Sequence, residues 1–283
     1  KAAITKKTKA IIPVHLFGLP AEMLTINQIA QEHGLWVVED AACGFGAKIN
    51  ENHVGTFGDT GCFSFHPRKA ITTGEGGMIT TQNPDLAEKI RRLRDHGAAM
   101  SDLQRHLGPK PYLLADHPVA GYNQRMTDIQ AAIGAEQMKR AESILKERNK
   151  IADNYSSAFQ DIQNLRTPKN VDGYTNGFQS YPCLFMPEKV EQAILKNDVN
   201  VIEKINQKRN NLMQELQDIG ISTRPATHAV HMLSYYQKKY KLCPEDFLAS
   251  KAANDCSISL PLFHGMNIDE QSYVISKVKK LID

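Results

Sequence analysis

A chain of 283 residues with 41% hydrophobic and 23% charged residues has material for two domains and a sizeable core. Its 34 basic and 31 acidic residues leave a net charge of +3, too small an excess to argue for a nucleic-acid or membrane partner, and no apolar run approaches the roughly 18 residues a membrane span needs. The five cysteines, Cys43, Cys62, Cys183, Cys243 and Cys256, are widely spaced without a CxxC pair, which favours a reduced, cytoplasmic protein, and the ten histidines lack HExxH or zinc spacing, so no metal is expected.

In chain order, residues 9–14 read as a buried strand that runs into His15 and is broken at Gly18-Leu19-Pro20. Residues 21–33 follow with helical spacing at Met23, Ile26 and Ile29, and Gly34 stops that helix. Residues 35–38 form a second apolar run, so the first two strands frame a βαβ unit and are predicted to be parallel neighbours. Asp40 then falls at or just past a strand's carboxyl end, where open α/β sheets place their ligands. Residues 62–65 read as another strand, with Lys69 on the turn after it, and 76–81 as a further one.

Pro84 opens a basic helix over 85–95 that ends at His96-Gly97. Residues 100–118 show no sustained period and are expected to form a loop over the site. Thr127 or Asp128 caps a long helix through Ala131, Ile133, Met138, Ala141 and Ile144, whose pattern runs on towards Phe159. Residues 178–185 look like a strand in which Pro182 indicates an edge or a bulge. Residues 190–198 are only weakly helical, whereas 201–219 form a clearer amphipathic helix closed by Gly220. A short strand over 258–262 and a helix over 269–282 complete the pattern.

An acid and a lysine at neighbouring strand ends can hold a cofactor between them. Pyridoxal phosphate suits this pair: the amine condenses with its aldehyde, and the carboxylate pairs with the protonated pyridine nitrogen and keeps the ring an electron sink. Taken alone, Lys69 reads better as a surface lysine, and Asp40 equally well as the cap of a helix starting at Ala41.

Four ordered blocks decide between these readings: Glu39-Asp40-Ala41-Ala42, Gly55-Thr56-Phe57-Gly58-Asp59, Phe63-Ser64-Phe65-His66-Pro67-Arg68-Lys69 and Gly74-Glu75-Gly76-Gly77. Together they resemble the sugar aminotransferases of the DegT/DnrJ/EryC1/StrS family. The resemblance implies an α/β, fold-type-I pyridoxal phosphate transferase of the aspartate aminotransferase kind. Its large domain, with three layers and a mainly parallel sheet, would span residues 1–146, and a smaller α+β domain residues 147–283. It also implies a homodimer with shared active sites, acting on amino-acid and nucleotide-sugar substrates.

Carried over residue by residue, the resemblance makes Lys69 and Asp40 catalytic and cofactor-binding, and places Ser64 on the cofactor phosphate. Asn123, in the Gly121-to-Asp128 block, would serve the phosphate of the partner subunit, with Arg125 nearby. Thr227, His228 and His231 fall in a segment that leads to the sugar pocket. Cys43 departs from the family's usual glutamine or histidine, whose side chain meets the phenolic oxygen of the cofactor; a thiol is a weak donor there. His15 also occurs in the family and reads as scaffold or pocket wall. Family members carry a segment before this point, with a Gly-Thr turn for the phosphate and an aromatic residue near the ring, so the chain is expected to be N-terminally truncated.

The implied reaction moves an amino group, with L-glutamate as expected donor, to an NDP-4-keto-6-deoxyhexose. Two rivals stay open: a sugar dehydrase of the same fold, which usually replaces the lysine with histidine, and a non-catalytic regulatory relative or inert fragment.

Overall fold

The computed structural model describes residues 1–99, 112, 114 and 116–282. These form two compact units, Lys1–Glu142 with Gly173–Asn176, and Ser143–Asp172 with Gly177–Asp283. Most of the expected loop over 100–118 lies outside the described residues.

In the first unit a four-stranded sheet runs in the order β1 (Ala10–Ile11), β2 (Trp36–Asp40), β5 (Thr60–Ser64), β6 (Gly77–Thr80). β1 and β2 are parallel, with Ala10 facing Trp36, as the βαβ reading predicts; β2 and β5 are parallel, and β6 returns antiparallel to β5. The sheet is mixed and mainly parallel, the α/β arrangement expected. β1 is shorter than the 9–14 run, but a bridge between Val14 and Asp40 extends the pairing.

The crossover helix α1 (Met23–His33) buries Met23 and Ala30, which pack with Val37 and Ile49. Its C-cap Gly34 adopts φ +62°, and its N–H returns to the carbonyls of Ala30 and Gln31. A smaller antiparallel sheet joins β3 (Lys48–Ile49) to β4 (Asn52–His53) and to β8 (Tyr174–Thr175), which returns from much later in the chain.

After β6, α2 (Pro84–Arg94) starts at Asn83, whose side chain accepts from the amides of Asp85 and Leu86. α3 (Asp128–Lys139) starts at Thr127 with a reciprocal capping box to Gln130. The single long helix expected here is two: at Arg140 the N–H turns to Gln137 and Met138, and α4 (Ala141–Phe159) begins anew. No helix starts at Ala41 either. Asp40 Oδ1 accepts from the amide of Ala42 at 3.1 Å in a local turn, so the capping reading is corrected.

The second unit has an antiparallel sheet in the order β10 (Ser257–Leu260), β9 (Tyr181–Phe185), β7 (Leu165–Arg166). Pro182 therefore sits in the central strand, not an edge. β7 pairs only with Leu184 and Phe185, so at Pro182 that side of β9 is unpaired, and its missing N–H breaks no ladder there. The unit also holds the helices α5 (Pro187–Leu195), α6 (Val199–Asp218), α7 (Ser234–Tyr240), α8 (Leu248–Cys256) and α9 (Ile268–Ile282). The weakly helical 190–198 stretch thus belongs to a helix that opens on Pro187, suited to a first turn. α6 turns Ile202, Ile205, Leu212 and Leu216 inward, joining Tyr155, Phe159 and Tyr181 in one core.

Candidate active site

The site is built on the carboxyl ends of β2 and β5. Asp40 closes β2 and faces Cys62 of β5 in register. Its amide donates to Pro13 O at 2.8 Å and its carbonyl accepts from His15 N at 3.0 Å, so the strand end is held by backbone on the β1 side. Burial, and then the charge of Asp40, push the Cys62 thiol up.

Lys69 lies on the loop from β5 to β6. That loop is pinned at its base: Phe65 N donates to Gly76 O at 2.9 Å, and Thr73 N to Phe65 O at 3.0 Å. Gly76 has φ +156°, and a Cβ there would meet Thr73 Oγ1 at 2.4 Å, so the glycine is required by the close approach. Thr73 in turn donates its hydroxyl to Glu75 O at 2.8 Å, and Gln130 of α3 reaches the same carbonyl at 2.9 Å. From this loop Lys69 Nζ donates to Cys43 Sγ at 3.1 Å, in the turn that follows Asp40. Lys69 is half-buried, so it is not the freely solvated lysine that it suggests in isolation. Ser64, at the end of β5, accepts from His66 N at 3.3 Å.

The structure thus brings Lys69 and Cys43 into contact in the turn that follows Asp40, with Ser64 at the end of the adjacent strand. Asn123 and Arg125 belong to a segment zipped to the end of α2: Asn123 bridges Asp95, Tyr122 N donates to Leu93 O, and Arg125 pairs with the Asp95 carboxylate. Thr227, His228 and His231 belong to the second unit. There Thr227 is half-buried and His228 exposed, whereas His231 is buried, with Nε2 on Pro244 O at 3.3 Å and its ring edge-on to Phe247. The loop they occupy is tied to α8 and β10, Ala229 N donating to Asn254 Oδ1 and Ala226 N to Ser257 Oγ.

Sequence reasoning did not pair His15 with Glu39, although both are fully buried and hydrogen-bonded at 2.9 Å. The available signal was an acid at an inward position of an apolar strand. Among the described residues, no group of three or more His, Cys, Asp or Glu could hold a metal ion, and no helix is long and apolar enough to cross a membrane.

An amine brought to the turn that follows a carboxylate, at the ends of adjacent parallel strands, is the donor set that pyridoxal phosphate needs, and the residues present fit that group. Comparison with known proteins agrees. The model of the DegT/DnrJ/EryC1/StrS aminotransferase family matches residues 1–279. The spore coat polysaccharide biosynthesis protein SpsC of Bacillus subtilis is 35% identical over 100% of this chain and 69% of its own length. A GDP-perosamine synthase of Caulobacter vibrioides is 33% identical over 100% of this chain and 68% of its own. The aminotransferase PseC of Helicobacter pylori, involved in the biosynthesis of pseudoaminic acid, shares the fold with a TM-score of 0.85 at 23% identity, over 99% of this chain and 68% of that one. The chain belongs to the DegT/DnrJ/EryC1/StrS aminotransferase family, whose cofactor is pyridoxal phosphate, and spans about two thirds of the length of these relatives.

Proposed function

We propose that the protein carries an amino group from an amino acid, L-glutamate, to the keto group of a nucleotide-linked sugar of the NDP-4-keto-6-deoxyhexose type. The observation that carries this reading is the approach of the Lys69 amine to Cys43 Sγ at 3.1 Å, beside the strand end that bears Asp40. The likeness to a GDP-perosamine synthase supports a nucleotide-linked sugar as acceptor.

When bound, pyridoxal phosphate supplies an aldehyde that carries the nitrogen and a ring that withdraws electrons. Lys69 would hold it covalently, and its amine, when free, would move a proton to and from the carbon beside the transferred nitrogen. Asp40 would keep a proton on the ring nitrogen by opposing its charge. Cys43 would serve the ring hydroxyl, where its thiol would give a weaker contact than an amide or imidazole. Ser64 would serve the phosphate, as would Asn123 of the partner subunit in a homodimer with shared active sites. Arg125, Thr227, His228 and His231 serve the substrate side. The cofactor domain covers residues 1–146 and the small domain 147–283, a division supported by the change of compact unit after Glu142.

Borohydride reduction of the cofactor-loaded protein, followed by peptide mass mapping, tests the reading. The expected result is a single label on Lys69. A change in cofactor absorbance on adding L-glutamate, reversed by a nucleotide-linked keto sugar, establishes donor and acceptor. A label on another lysine, or reversal by free keto acids alone, overturns it.

A further inference from the structure

Beside Asp40 in β2 stands a second carboxylate, Glu39, which the proposed chemistry does not use. Side chains alternate along a strand, so Glu39 faces the opposite side of the sheet, and it is fully buried, at 0% exposure. A charge there is costly unless its oxygens are satisfied. Both are. Oε2 accepts from His15 Nε2 at 2.9 Å and Gly55 N at 2.6 Å, and Oε1 accepts from Phe57 N at 2.8 Å and Gly58 N at 2.7 Å.

His15, also at 0% exposure, takes the N–H of Ala21 on Nδ1 at 3.1 Å, which leaves its proton on Nε2, aimed at Glu39. Burial pushes the Glu39 carboxyl up, but the bonds from His15, Gly58 and Gly55 outweigh it and hold the group below the ordinary carboxylate range. Across the β2–β5 pairing, Glu39 faces Gly61, where a Cβ would lie 2.3 Å from Gly55 Cα. The turn that Glu39 binds is therefore pressed against the sheet with no space to shift.

We infer that Glu39, together with His15, is the positioning element for Asp40: it binds the 55–58 turn to β2 while His15 is hydrogen-bonded to both Glu39 and the Asp40 carbonyl, so the strand end that presents Asp40 is fixed from both sides. This rests on the cofactor reading above. Glu39 touches no reacting atom; it acts through Asp40.

The test is a double-mutant cycle on the dissociation constant of pyridoxal 5′-phosphate, read by cofactor absorbance in the wild type, Glu39→Gln, Asp40→Asn and the double variant. Glu39→Gln alone weakens binding about ten-fold and shifts the absorbance in the same direction as Asp40→Asn, but adds less than about two-fold on the Asp40→Asn background. Fully additive effects overturn the inference. So does a Glu39→Gln protein that melts earlier yet binds the cofactor with unchanged constant and spectrum, since that is a purely structural role. If Glu39→Gln does not fold, His15→Phe replaces it in the cycle, removing one of the four donors to Glu39, and the same two results overturn the inference. A wild-type protein that binds no cofactor overturns the functional reading and this one with it. Cofactor binding with an additive cycle overturns this one alone.

Discussion

The Lys69 amine donates to the sulfur of Cys43 at 3.1 Å, joining the loop between β5 and β6 to the turn that follows Asp40. Two nucleophiles in contact cannot both be free when one is engaged. Pyridoxal phosphate attached at Lys69 should therefore change the alkylation of Cys43 by iodoacetamide. The expected result is at least about five-fold slower modification in the loaded protein, because the bound group screens the thiol. Peptide mass spectrometry at timed intervals measures it. Equal rates with and without cofactor would remove Cys43 from the site.

Asp40→Asn keeps the size of the side chain and loses its charge. The cofactor should remain attached at Lys69, while amino transfer falls by about a hundred-fold or more, since a neutral amide does not favour the protonated ring. Single-turnover absorbance after mixing with L-glutamate gives the rate. Near wild-type turnover would assign the pairing to another group.

The depressed Glu39 carboxyl makes stability depend on pH in a definite direction. Its folded value lies below the ordinary 4.5, so the contribution is fully present above that value and is lost as pH falls through the folded value. Melting temperature measured downwards from pH 6 should fall more steeply in the wild type than in Glu39→Gln, which has no carboxyl to protonate at this position. Parallel slopes would contradict an ionised Glu39.

The proposed shared-site dimer predicts complementation. Lys69→Ala lacks the attachment point, and Asn123→Asp sets a carboxylate against the cofactor phosphate. A mixed dimer of these two inactive proteins regenerates one site free of both changes, because an isologous interface uses the same patch twice. Activity should return on subunit exchange. Stable mixed dimers that stay inactive would place Asn123 in its own subunit's site or in none.

In the second unit, Tyr155 is fully buried, donates its hydroxyl to Pro261 O at 3.0 Å and stacks on Phe159 at 5.7 Å. Tyr155→Phe should cost about 1 kcal/mol, the scale of one buried hydrogen bond. Tyr155→Ala should cost about 3–5 kcal/mol through the cavity it leaves. Urea denaturation of both variants distinguishes them.

Local signals in the sequence determined the βαβ start, the stop at Gly34, the helix openings at Pro84 and Thr127 and the ordered Asp40, Lys69 and glycine blocks. Each depends on residues a few positions apart, where helix and strand periods and turn chemistry are written directly. Tertiary structure alone decided which distant groups meet. His15 finds Glu39 only because β1 and β2 are parallel neighbours and the 55–58 turn folds over the same face. Lys69 reaches Cys43 only because its loop is closed by Gly76 and Thr73. Pro182 is tolerated in a central strand only because β7 stops short of it. β8 has two residues, too few to show a period, and takes its structure from β3. Such pairings depend on which strands become adjacent, a property of the folded chain that no short window of sequence contains.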